Sequence, residues 1–112
     1  MLTDQDEKVW KALSDPTRRR ILDLLRVGPL TTGDLSDHFE VTRFAVMKHL
    51  GVLQEAGLVI VRKQGRFAWN HLNPSPIQRI YDRWMHPFAR GPAETLSHLK
   101  RHVETRPDRR KR

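Results

Sequence analysis

Arg43, Phe44, Met47 and Lys48 stand close together, and Arg62, Lys63, Gln64 and Arg66 follow a short way downstream. Their chemistry is that of recognition: cationic side chains neutralise phosphates, arginine also grips base edges, and an outward aromatic ring meets a thymine methyl. Bond-making chemistry has no comparable set. The chain holds no cysteine, no glycine-rich phosphate loop and no Ser/His/Asp group whose spacing brings it together, so an enzyme is not expected. Glu94, His98 and His102 recur every four residues and could offer zinc or nickel three ligands from one helical face. Three ligands on one helix still need a fourth partner and supporting hydrogen bonds. The favoured reading of that face is therefore a solvated one opposite Leu96, Leu99 and Val103, and neither a metal nor a cofactor is expected.

The elements that must position these side chains follow from spacing. Val46, Leu50 and Leu53 recur at i, i+4 and i+7 and share one face of a helix, leaving Arg43, Phe44, Met47 and Lys48 on its other faces. Thr42 suits the N-cap, which would aim free N–H groups at a phosphate, and Gly57 suits the C-terminal end. Residues 58–61 and 67–69 are two short β-prone runs. Gly65 between them supplies the positive φ of a hairpin turn, and Arg62, Lys63 and Arg66 cluster at the tip. A helix followed at once by a basic hairpin is how a winged helix-turn-helix grips DNA, and the expected fold class is mainly α with one small β-hairpin.

Upstream, Val9, Trp10 and Leu13 mark a first helix, and Asp15-Pro16 offers an N-cap and first-turn proline for a second. The second helix should bury Ile21, Leu24 and Leu25 and stop at Gly28-Pro29. Thr31 and Asp34 resemble a capping box for a short third helix with Leu35 and Phe39 on its apolar face. The run Arg18-Arg19-Arg20 must point in three directions, so at least part of it is read as a solvated face. His49, between core stripe and surface, is read as a packed or hydrogen-bonded imidazole. Downstream, Ile77, Ile80, Tyr81 and Trp84 form a stripe at i, i+3, i+4 and i+7. Pro87 and Gly91-Pro92 should kink or interrupt that helix before Leu96, Leu99 and Val103 resume it. An aromatic stripe of Tyr81, Trp84 and Phe88 fits core or dimer interface better than a ligand pocket.

A chain of 112 residues fits one domain, expected over residues 1–105, with 106–112 as a disordered basic tail. The net charge of +8 is unevenly placed. Residues 1–41 carry −2 (6 basic, 8 acidic), residues 42–66 carry +4 (5 basic, 1 acidic), and residues 106–112 another +4 (5 basic, 1 acidic). Such an excess on the proposed reading unit favours a polyanion, nucleic acid above all. No stretch approaches the roughly 20 apolar residues of a membrane span, and no signal-peptide pattern opens the chain. No membrane partner is expected, and a cytoplasmic setting is.

Three segments in order carry a resemblance: Lys11 to Leu22, reading KALSDPTRRRIL; Ala45 to Leu50, reading AVMKHL; and Leu53 to Val59, reading LQEAGLV. Together they resemble the ArsR family of bacterial transcriptional regulators over about residues 8–72. That resemblance implies a homodimeric winged-helix repressor of double-stranded DNA. Its fourth helix would read DNA through Thr42, Arg43, Phe44, Met47 and Lys48, and its hairpin would hold flanking backbone through Arg62, Lys63, Gln64 and Arg66. The first and last helices would form the dimer, here through Val9, Trp10 and Leu13 and through Ile80, Tyr81, Trp84, Phe88, Leu96 and Leu99. Thiolates that bind soft metals in arsenic and cadmium sensors of the family are replaced by Thr31 and Gly33. The zinc sensors' paired ligands are also broken, with Trp84 two residues after Asp82 and Arg101 three after His98. Met47 stands where many relatives carry serine, and Gly51 where many carry lysine or arginine. The small-molecule effector stays unknown from the sequence. Two other readings stay open: a winged-helix protein-interaction module and a histidine-based metal-responsive regulator.

Overall fold

The computed structural model describes residues 3–85 and divides the chain into two compact units at Gln78/Arg79. The first unit runs α1 (Asp4–Leu13), α2 (Pro16–Val27), β1 (Leu30–Thr31), α3 (Thr32–Ser36), α4 (Arg43–Glu55), β2 (Val59–Gln64) and β3 (Phe67–Leu72). The helix α5 (Ser75–Trp84) spans the division. The strands form one antiparallel sheet in the order β1-β3-β2.

Helices α1 to α4 each begin where a short polar side chain takes up an orphan amide. Thr3, Asp15, Thr31 and Thr42 accept the N–H three residues on, each at 3.1 Å. At Thr3 the cap is reciprocal, because Asp6 Oδ2 accepts the Thr3 N–H at 3.2 Å. Pro16 follows Asp15 at the first helical position, where its missing N–H costs nothing. The far end of α4 closes as a Schellman motif. Gly57 sits at φ 77° and donates to the Gln54 carbonyl at 2.9 Å, while Leu58 donates back to Leu53 at 2.9 Å. That turn places Leu58 beside Leu53, and both are fully buried.

The core forms where the helical stripes converge. Val46, Leu50 and Leu53 of α4 are buried with Ile21, Leu22 and Leu25 of α2, Val9 and Ala12 of α1, Leu35 of α3, and Leu58 and Val59 at the start of the hairpin. Three expectations need correction. On α2 it is Leu22 that is buried, with Leu24 only half-buried, since the inward stripe runs through Ile21, Leu22 and Leu25. Phe39 lies beyond α3, its ring under the Arg20 guanidinium at 5.4 Å. Val9 is 0% exposed within one subunit, so it belongs to that subunit's core and has no surface for a partner; Ile80 is also buried. The strands extend past the β-prone runs, and β1 joins them through Leu30 opposite Asn70 and Thr31 opposite Trp69.

Candidate nucleic-acid interface

The nine side chains proposed for DNA contact, Thr42, Arg43, Phe44, Met47, Lys48, Arg62, Lys63, Gln64 and Arg66, are all exposed. On α4 the burial of Val46, Leu50 and Leu53 turns the opposite faces outward, leaving Phe44 at 68% and Met47 at 54% exposure. The Lys48 ammonium lies over the Phe44 ring, 5.4 Å from its centroid, within the range of a cation–π contact.

Arg43 begins the helix under the Thr42 cap and approaches α3 at Gly33. A Cβ built on Gly33 would lie 3.4 Å from the Arg43 Nη2, so the guanidinium rests against α3 at this residue. Beyond it opens a cleft of about 680 Å³. Its walls are α3 from Thr32 to Asp37, α4 at Arg43 and Met47, and the wing at Lys63, Arg66 and Phe67. Met47 and Lys63 also border a neighbouring cleft of about 510 Å³ reaching Asn70. Helix α4 and the wing therefore share one concave face.

The wing is a six-on-six hairpin with Gln64 opposite Phe67, which makes Gly65-Arg66 a two-residue turn. Gly65 has φ 62° while Arg66 stays at negative φ, as a type II′ turn requires of its two central positions. Asn70 anchors the base. This 1%-exposed residue donates through Nδ2 to the Leu30 carbonyl at 3.2 Å and to Thr32 Oγ1 at 3.1 Å, tying β3 to β1 and the start of α3. Its Oδ1 has no hydrogen-bond partner among the described residues.

The arginine run is placed differently. Arg18 donates through Nε to the Ala12 carbonyl at 2.9 Å and through Nη2 to the Lys11 carbonyl at 3.0 Å, and its Nη1 lies 3.2 Å from His49 Nδ1. Arg19 donates to the Leu13 carbonyl at 2.8 Å. These two close the carbonyl end of α1, and Arg20 covers Phe39. By contrast, no ion pair or hydrogen bond to another described residue holds the side chain of Arg43, Lys48, Arg62, Lys63 or Arg66. His49 is the hydrogen-bonded imidazole expected, with Asp15 Oδ2 3.9 Å away. Burial raises the Asp15 carboxyl, but the Arg18 backbone N–H, the His49 ring and the Arg18 guanidinium outweigh it and leave its pKa lowered.

A helix-turn-helix domain family matches residues 13–62, from the end of α1 to the wing. The transcriptional repressor SdpR of Bacillus subtilis is 40% identical over 80 residues, 71% of this chain and 88% of that protein. Among solved structures, an ArsR-like transcriptional regulator from Rhodococcus sp. RHA1 superposes with a TM-score of 0.69 at 29% identity, covering 90% of this chain and 92% of its own. This chain belongs to the ArsR family of winged helix-turn-helix transcriptional regulators. A homodimeric winged helix-turn-helix domain from Mycobacterium bovis shares the fold, with a TM-score of 0.62 at 24% identity over 91% of this chain and 84% of its own.

The residues expected at a dimer surface lie partly outside the described ones. Trp10 on α1 is exposed, as are Tyr81 and Trp84 on α5, and Leu13 is half-buried. Phe88, Leu96 and Leu99 lie outside the described residues, as do Glu94, His98, His102, Pro87, Gly91-Pro92 and the boundary at 105/106. Phe67 lines the cleft, although the sequence pattern did not single it out. It was legible only as part of a β-prone run, and its exposure follows from its position closing the hairpin turn.

Proposed function

We propose that this regulator is a homodimeric repressor that binds an inverted-repeat operator, with one α4 in each of two successive major grooves. Two-fold symmetry sets their separation at one helical turn, about 34 Å. Arg43, Phe44, Met47 and Lys48 address base edges and adjacent phosphates. The Thr42-capped end of α4 faces a phosphate, and Arg62, Lys63, Gln64 and Arg66 hold the flanking backbone. One observation supports this most directly: Arg43, Met47, Lys63 and Arg66, from two separate elements, line a single cleft.

The exposed Trp10 and the exposed aromatic residues of α5 are the surfaces offered to the second subunit. Occupation of a promoter by the dimer would exclude polymerase, and the work takes place in the cytoplasm, where the DNA is. No helix among the described residues is long and apolar enough to cross a membrane. Selection of bound duplexes from a random pool at stated salt tests the proposal. A palindromic consensus with half-sites about 10–10.5 base pairs apart supports it, and recovery of unrelated sequences or no retained DNA refutes it.

A further inference from the structure

Phe67 opens β3 directly after the two-residue turn, and at 55% exposure it is one of the large apolar side chains left in solvent. Cross-strand partners share a sheet face, as do alternate residues along a strand, so Phe67 lies on one face with Gln64 and, one step back from the tip, Arg62 and Trp69. Arg66 precedes it in the turn. The Phe67 ring thus sits at the tip of the hairpin beside Arg62 and Arg66, with Trp69 one step further from the turn on the same face.

Resting on the DNA-binding reading just given, we infer that Phe67 is a wedge: the wing inserts its ring into the minor groove beside the site read by α4, partly unstacks one base step, and bends the operator. Size argues for this mode of contact. The two strands of a hairpin lie about 4.7–4.9 Å apart before their side chains are counted, against a minor groove about 6 Å wide, so the backbone of the tip cannot sink in and only a side chain reaches the bases. Charge argues for the same groove. Arg62 and Arg66 flank the ring without ion-pair partners among the described residues, so each can neutralise a phosphate of the strands that border the groove. An inserted ring then recovers the apolar burial that solvent denies it, which offsets the unstacking of the step, as apolar wedges do in minor-groove binders. The inference adds sequence preference where the protein makes no hydrogen bond to a base. Pyrimidine–purine steps unstack most readily, and they should lie beneath each wing.

The test uses the full chain and a duplex of about 40 base pairs recovered by selection, with donor and acceptor dyes on its ends to read bending. Wild type should bend the duplex by an amount in the roughly 20–90° range of side-chain wedges. Phe67→Ala should lose at least half of that bend and bind about 10-fold more weakly, whereas Phe67→Leu, also an apolar wedge, should keep both. Selection repeated with Phe67→Ala should lose the pyrimidine–purine preference under the wing and keep the half-sites read by α4. Circular dichroism melting of both variants separates loss of the wedge from loss of the fold. A straight duplex with tightly bound wild type, or a Phe67→Ala complex as bent and as tight as wild type, overturns the wedge and leaves the operator reading intact. Failure of wild type to retain any duplex overturns both.

Discussion

Replacing Lys63 by alanine tests the electrostatic half of the interface, and its effect can be worked out from charge positions alone. Each subunit offers five cations on the proposed DNA-binding face, Arg43, Lys48, Arg62, Lys63 and Arg66, and none has a carboxylate partner among the described residues to leave when phosphate arrives. A dimer that used all ten would release enough counterions for a slope of log affinity against log salt near −9, at about −0.9 per phosphate neutralised. Between 50 and 200 mM salt this amounts to roughly 5 decades of affinity. Lys63→Ala removes one contact from each subunit, so the slope should become shallower by about 1.8. Referred to 1 M salt, the same two contacts predict a loss of roughly 60-fold at 0.1 M that shrinks to about 5-fold at 0.4 M. Fluorescence anisotropy titrations on cognate and random duplexes at several salt concentrations measure it. The loss should be the same on both, because phosphates carry no sequence information. An unchanged slope, or a loss confined to the cognate duplex, would refute this assignment of Lys63.

Arg43→Ala should behave in the opposite sense, weakening the cognate duplex by about 1–3 kcal/mol and random DNA much less, in the same titrations. Gly65→Ala places a Cβ at φ 62°, where an L-residue is strained by about 1–2 kcal/mol; the melting temperature should fall by several degrees although nothing lies within 4 Å of the new atom. Asp15 has its pKa lowered in the folded state, so it stabilises the protein above its unfolded value near 3.9 and that contribution is lost as pH falls through the folded value. Asp15→Asn should keep the α2 cap and flatten this acid limb in urea melts between about pH 5 and 2, while Asp15→Ala should also cost about 1 kcal/mol at neutral pH.

Local signals carried most of what the sequence revealed. Thr42, Asp15 and Gly57 could be placed because a cap or a left-handed turn is decided within four residues, and Val46, Leu50 and Leu53 because one helix face is decided within eight. What escaped was decided at a distance. Leu30 and Thr31 carry no strand signal of their own; they become β1 because β3 passes beside them and Asn70, forty residues on, holds the Leu30 carbonyl. The strands ran longer than their apolar stretches because Arg62, Lys63 and Gln64 pair through backbone while their side chains stay in solvent. Phe67 escaped for a related reason: composition marks it as a strand residue, and only the register, which closes the turn between Gln64 and itself, shows that its ring has no core to enter.

The arginine triplet shows why charge alone misplaces an interface. Arg18-Arg19-Arg20 is the densest basic run among the described residues, yet its guanidiniums are occupied. An arginine can only donate, so the 3.2 Å contact with His49 requires the lone pair on Nδ1, and the same guanidinium already holds two carbonyls at the end of α1. Arg18 therefore braces α4 from within the fold: it links α1, α2 and α4 at His49, the half-buried residue that follows the exposed Lys48. Cations that stabilise a scaffold satisfy carbonyls and imidazoles within it, and cations that meet phosphate must be left unpaired. By that criterion the proposed interface is Arg43, Lys48 and the wing. Moving a guanidinium from Arg18 to alanine should loosen α4 and lower the melting temperature without changing the salt slope, whereas each wing cation should do the reverse.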